Sequence, residues 1–313
     1  MLKMDKPFHD PDIDPIKDGA AFYFIASNNC NANCVFCYDQ VTYAGEGRYL
    51  EHDDPVVEAA LQLCIKAGIE KVVFTGGEPT IQPEKLVKLI RRAAPQFGVK
   101  RKLYSNGYGL FADVEGSPLI EQVARTHIDI LNLSRAHHDE AKNTEIMRAK
   151  KVSTVDEIRR IADLQEETRF LLKLSSYMTP DGVFSAGDMH RYVEFGESCG
   201  VNNFLFRAGG HVPDKFRKTT PESSLHHRIN EEIDLDSIVE QLVADYGYTE
   251  LSSRHDGKYH LHVLTNGKSK ITIKKEFKID EGDSKKINRI ILGPERIARS
   301  SWIDDSRTIA LPL

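Results

Sequence analysis

The sequence contains no apolar run approaching the ~20 residues that a membrane-spanning helix needs. Its first ten residues, Met1 to Asp10, carry charges and a proline where a secretory signal would have an apolar core. The expected location is therefore the cytoplasm, with no membrane partner. Basic residues are not in excess either: a formal charge of −5 gives no footprint for nucleic acid, so none is expected as a partner. Cysteine is scarce. The chain has five in 313 residues, an odd number, and three of them crowd into eight positions. That pattern speaks against a disulfide framework and for reduced thiols held for metal. Low-complexity segments and internal repeats are lacking as well, apart from an alternation of strand and helix.

What is present supports a sizeable core, with 40% hydrophobic and 28% charged residues. Six β-rich runs recur in the first two thirds: Phe22 to Ala26, Val72 to Phe74, Lys102 to Tyr104, Ile128 to Leu133, Phe170 to Leu174, and Phe204 to Phe206. Between them lie segments with helical spacing. One is introduced by Asp54 as N-cap and Pro55, one runs from Pro83 to about Ala94, and one begins near Ser153 to Glu157. Strand and helix in alternation predict a parallel sheet with helical crossovers, curled into an open or complete barrel. In such folds the active site forms at the carboxyl ends of the strands. After about Asp214 a charged connector leads to a helix over Leu235 to Tyr246, then to a hairpin around Asn266-Gly267. Further strands are expected within Lys285 to Leu292 and Trp302 to Leu311.

The loop after the first strand reads Cys30-Asn31-Ala32-Asn33-Cys34-Val35-Phe36-Cys37. Three thiolates hold three corners of a four-iron cubane and leave one iron open to an exogenous ligand. The plain alternative is a structural zinc site completed by His52, His137 or His138. In that case the protein would be a zinc-stabilised binding protein without catalysis.

The x3, x2 spacing, with the aromatic Phe36 before the last cysteine, resembles the defining motif of the radical S-adenosylmethionine (SAM) superfamily. The end of the second strand, Gly76-Gly77-Glu78-Pro79, resembles that family's glycine-rich loop, which receives the amino group of SAM. Two glycines allow close backbone approach, Glu78 adds acceptors, and Pro79 stiffens the turn. The resemblance implies an α/β fold: a partial, TIM-like (β/α)6 barrel over residues 16–213, after an N-terminal arm (1–15) and before a smaller α+β region (214–313) that covers the substrate opening. It implies a [4Fe-4S] cluster on Cys30, Cys34 and Cys37, and SAM as cofactor. Further cofactor positions implied by the resemblance are Ser105 and Asn106 on the third strand and Ser134 on the fourth. Lys173 and Ser175 follow on the fifth, and Phe204 and Phe206 lie against adenine on the sixth. An external electron donor such as flavodoxin or ferredoxin is implied. The reaction it implies is reductive cleavage of SAM to a 5′-deoxyadenosyl radical that abstracts hydrogen from substrate.

His137 and His138 follow the fourth strand and are candidates for proton donation or substrate contact; Tyr177 and Arg207 are similar candidates after the fifth and sixth. Cys64 and Cys199 read as packed thiols. No cysteine follows residue 199, which rules out an auxiliary cluster of the C-terminal multi-cysteine kind. Lysines from 268 to 286 and Arg289 form a basic stretch that could guide a phosphate-bearing or acidic substrate over the barrel mouth; diluted by Glu276, Asp280, Glu281 and Asp283, it reads better as a solvated strand face. The expected substrate is a small metabolite or nucleotide. A ribosomally made peptide ranks lower, because no separate N-terminal recognition domain is evident.

Overall fold

A computed structural model describes residues 20–37, 48–98, 100–168, 170–209, 233–255, 259–276, 287, 289–302 and 308–311. All six expected strands form: β1 (Ala21–Ser27), β2 (Lys71–Gly76), β3 (Lys102–Ser105), β4 (Ile130–Ser134), β5 (Leu171–Tyr177) and β6 (Asn203–Ala208). They lie parallel, side by side and in chain order, as the strand–helix alternation requires. The crossovers are α1 (Pro55–Lys66), α2 (Pro83–Ala93), α3 (Leu119–Arg125), α4 (Glu140–Met147), α5 (Val155–Glu167) and α6 (Ala186–Ser198). Their starts are set by local chemistry. Asp54 accepts from the Val56 amide at 3.0 Å ahead of Pro55, and Thr154 with Glu157 closes a reciprocal capping box at α5.

The C-terminal strands join the same sheet at both flanks. Helix α7 (Leu235–Tyr246) precedes β7 (Thr249–His255), β8 (Tyr259–Thr265) and β9 (Lys270–Glu276), and β9 runs parallel beside β6. On the other flank β10 (Arg289–Leu292) runs parallel beside β1, followed by the short β11 (Ala298–Arg299) and β12 (Thr308–Ile309). The order is β12-β11-β10-β1-β2-β3-β4-β5-β6-β9-β8-β7, an open and parallel-rich partial barrel. The hairpin centred on Asn266 and Gly267 is present, but Thr265 pairs with Lys270, so its loop holds four residues. Asn266 Oδ1 accepts from the amides of Lys268 and Ser269, which stabilises that longer turn. The expected boundary near Asp214, the N-terminal arm and residues 277–286 of the basic stretch lie outside the described residues.

The two faces of the sheet differ in kind. Toward the helices, Phe22 and Phe24, Val72 and Phe74, Leu103, Leu131 and Leu133, Leu172 and Leu174, and Phe204 and Phe206 are buried in one continuous core. Alternate residues point to the concave side. On β5 this gives Leu171, Lys173, Ser175 and Tyr177, all half-buried, between the buried Leu172, Leu174 and Ser176.

Candidate active site

Four rim features meet where β1 and β2 end. The cysteine loop leaves β1 and is fastened to α4: the Asn33 and Val35 amides donate to the carbonyls of Met147 and Ile146 at 3.1 and 3.2 Å. Ala32, Cys34, Val35 and Phe36 pack against Ala136, Ile146, Met147 and Ala149. Asn106 Nδ2 donates to Asn31 Oδ1 at 2.8 Å and lies 4.0 Å from Cys30 Sγ. Phe36 stacks on Tyr177 with ring centres 5.1 Å apart, which ties the loop to the end of β5.

The glycine-rich turn lies against the root of this loop. Gly77 donates to Ser27 O at 2.7 Å and the Glu78 amide donates to Asn29 O at 2.8 Å. A Cβ on Gly77 would stand 2.3 Å from Asn29 O, so only glycine permits this approach. Gly76, at φ +144°, would place a Cβ 2.4 Å from Ser27 O. Glu78 is fully buried. Its carboxylate accepts from Thr80 N (3.0 Å), Thr80 Oγ1 (2.6 Å), Ser105 Oγ (2.7 Å) and Asn106 N (2.6 Å). Burial pushes this carboxyl up, and the four donors oppose that push. Glu78 therefore holds the ends of β2 and β3 in register, with Oε1 taking three of the four donors, and Ser105 belongs to the same network. Pro79, in the short turn Pro79–Ile81, receives Tyr49 Oη on its carbonyl at 3.0 Å.

The donor set suits a cluster. Burial first, and then the charges of Cys37 and Cys30, push the Cys34 thiol well above its ordinary value. Cys30, Cys34 and Cys37 would hold a cationic cluster as thiolates, whose mutual repulsion the cluster's charge would offset.

Below the rim, the concave positions form a second group. Ser134 and Ser175 are direct neighbours across β4 and β5, and Asn132 and Lys173 are neighbours one step down. Tyr177 pairs with Arg207, and Arg207 with Lys274 on β9. The Arg207 guanidinium lies over the Tyr104 ring at 4.9 Å. Burial, then the charges of Lys102, Lys270 and Lys100, holds Lys173 below its ordinary value. From β3 to β6 no Asp or Glu occupies a concave strand position. Among the described residues no carboxylate pairs with Lys102, Lys173 or Lys270. This cationic wall was not legible as such in the sequence. Its only sequence signal is lysine or arginine at alternate strand positions, readable once the register is known.

Not all expected residues come together here. Phe204 and Phe206 point the other way: both rings pack edge-on against Tyr192 of α6, in the helix-side core. His137 and His138 stack on one another beyond the sheet, lining an open pocket of about 360 Å³ with Asp139, Lys142, Asp188 and Arg191. His137 Nδ1 accepts from the Asp139 amide at 2.9 Å, an internal turn contact. Arg135 is buried away from the concave face, with Nη1 donating to Ser153 O and its plane over Phe195.

A half-barrel whose rim carries three converging thiols beside a glycine cradle defines an iron–sulfur enzyme of the (β/α)6 type. The Radical SAM superfamily model matches residues 24–177, from β1 to the end of β5, and the chain belongs to that superfamily. Its cofactors are accordingly a [4Fe-4S] cluster and SAM, and the zinc alternative falls. Among curated proteins, a probable GTP 3′,8-cyclase of Pyrococcus abyssi is 32% identical over 108 residues, 34% of this chain and 32% of that protein. One of Thermococcus kodakarensis is 24% identical over 179 residues, 56% of this chain and 52% of that protein. The chain thus spans between about a third and a half of these relatives. Among solved structures, Streptococcus suis SuiB bound to S-adenosylmethionine superposes with TM-score 0.57 at 13% identity, covering 92% of this chain and 66% of that one. SuiB bound to its precursor peptide SuiA gives 0.58 at 14%, covering 91% and 65%. At that identity the likeness is one of fold. No helix among the described residues is long and apolar enough to cross a membrane.

Proposed function

We propose that this radical SAM enzyme acts on a small anionic substrate of the phosphorylated, nucleotide-like class, seated on the concave wall below the cysteine loop. The observation that carries this reading is the cationic cluster on the concave face: Lys173 feels the charges of Lys102 and Lys270, among the described residues no carboxylate pairs with any of the three, and Arg207 adds a further cation higher on the same face, beside Tyr177. Like charges held together unpaired are costly, and an anion removes that cost. The curated relatives bear the name of a cyclase of GTP, a polyanion of the kind such a wall fits.

Cys30, Cys34 and Cys37 would hold the cluster, and Gly76 to Pro79 with Asn106, Ser134 and Ser175 would bound the SAM site. When bound, cluster and SAM supply a reductively generated 5′-deoxyadenosyl radical that takes hydrogen from substrate. The chain's own part is positional. Gly77 lets the β2 turn lie against the cysteine loop, Glu78 fixes that turn to β3, and the Phe36–Tyr177 stack closes the loop over β5. Ser134 and Ser175 offer hydroxyls one step above Lys173, so a nucleotide-like substrate would lie with its phosphates on Lys173 and its carbon skeleton toward the rim, where Arg207 stands beside Tyr177.

The test pairs each candidate substrate with its dephosphorylated form and measures stimulation of 5′-deoxyadenosine formation by anaerobically reconstituted enzyme. Phosphorylated members should stimulate, and Lys173→Ala should raise KM by about 10- to 100-fold, the loss of one charge-assisted contact of about 1.5–3 kcal/mol. Equal stimulation by both forms, or by a peptide alone, would remove the anionic-substrate reading.

A further inference from the structure

Far along the sheet from the cysteine loop, the junction of α7 with β8 gathers a second set of metal-ligating atoms. His260 and His262, two apart on β8, share the face that packs under α7, and Asp236 enters from the first turn of that helix. His260 Nε2 and His262 Nε2 are 2.9 Å apart, and Asp236 Oδ1 lies 3.4 and 3.5 Å from them. Behind them, His262 Nδ1 sits 2.6 Å from Glu250 Oε1 of β7.

The hydrogen bonding fixes the chemistry. An ionised Glu250 can only accept, so His262 Nδ1 carries the proton and, in the neutral ring, Nε2 turns its lone pair toward His260 and Asp236. Lys275, facing His260 across β8 and β9, donates to Ile233 O at 2.7 Å, and the His255 ring stacks on His260 at 4.7 Å. Three Lewis bases thus converge, one of them a carboxylate oxygen. The two edges to Asp236 match the ligand–ligand edge of a tetrahedral site, about 3.4 Å for bonds of ~2.1 Å. The histidine pair forms a tighter edge, corresponding to an angle near ~90° at the ion. A carboxylate on the far nitrogen of a ligating histidine is the usual means of orienting it and raising its basicity. His262 is 4% exposed and Asp236 68% exposed, so the histidine is held rigid while the solvent side stays open for entry and for a fourth, water ligand.

We propose that His260 Nε2, His262 Nε2 and Asp236 Oδ1 bind a divalent first-row metal of the zinc class, oriented by Glu250, which pins α7 to the outer strands. Two imidazoles and one carboxylate favour zinc over magnesium or calcium. The site is independent of the cysteine loop and of the anionic-substrate reading.

Zinc and iron are counted in the full-length holoenzyme, and zinc again in a full-length variant with Cys30, Cys34 and Cys37 all changed to Ala. About one zinc per chain should persist in the cysteine-free protein, and cobalt added in its place should give visible d–d absorption unobscured by a cluster. In that background Asp236→Asn, at an exposed position that does not threaten the fold, and Glu250→Gln should each weaken zinc by about 10- to 100-fold in a chelator competition. His260→Ala with His262→Ala should abolish binding, with circular dichroism reporting whether the fold survives. Absence of zinc from the cysteine-free protein, or zinc affinity unchanged by Asp236→Asn and by Glu250→Gln, would overturn the proposal. The first of these results would leave His260 donating to His262 as a simple hydrogen-bonded pair.

Discussion

Single residues at the rim carry constraints that composition alone does not disclose. Gly77 matters because a methyl group there would sit 2.3 Å from a backbone carbonyl of the cysteine loop, which cannot swing aside as a side chain would. Gly77→Ala should therefore displace the loop, and iron per chain after reconstitution should fall to a minor fraction of wild type while the rest of the fold persists. Full iron content in that variant would show the close approach to be dispensable. Glu78 has a structural part that its motif does not disclose: Oε1 accepts from Thr80 N, Thr80 Oγ1 and Ser105 Oγ, and Oε2 from Asn106 N. Glu78→Ala leaves several buried donors unpaired, each at about 1–3 kcal/mol, and a large fall in Tm should result.

Elements were the most legible level. The six core strands and the starts of α1, α2 and α5 follow from alternation, Pro at the first turn, and capping residues, which are local signals. Facing was less legible, because a strand's period is two and a one-residue error exchanges its faces. Phe204 and Phe206 were expected at adenine and pack instead on Tyr192, while their neighbour Arg207 faces inward over Tyr104. The contrast can be measured on β6. Phe206→Ala should destabilise the protein by about 3–5 kcal/mol through the cavity it leaves. Arg207→Ala should leave Tm nearly unchanged and raise KM for an anionic substrate. The opposite pattern would reverse the facing assigned to the strand. His137 and His138, expected at the site because they follow β4, line a separate pocket at the α4 start, where the Asp139 amide ties back to His137 Nδ1, a local turn invisible to motif spacing.

At the scale of the whole molecule, what could not be read from sequence was long-range pairing. Nothing local tells that β10 lies parallel beside β1, or that β9 extends the sheet beyond β6. Those pairings matter to the site. They bring Lys270 and Lys274 into line with the concave wall, and they bring Glu295 to the root of the cysteine loop, where it accepts from Asn28 Nδ2 at 2.7 Å. The cysteine loop, by contrast, was legible outright, since three thiols at fixed spacing after a strand are a local pattern.

Three rim thiols and a glycine cradle together equip this chain for reductive cleavage of SAM. Its most direct test is formation of 5′-deoxyadenosine from SAM and dithionite under anaerobic conditions, by wild type and by Cys34→Ala, with phosphorylated candidate substrates present. Formation by wild type and none above background by Cys34→Ala is the predicted result. Equal formation by both proteins, or none by a wild-type enzyme carrying its full cluster with those substrates supplied, would contradict the account.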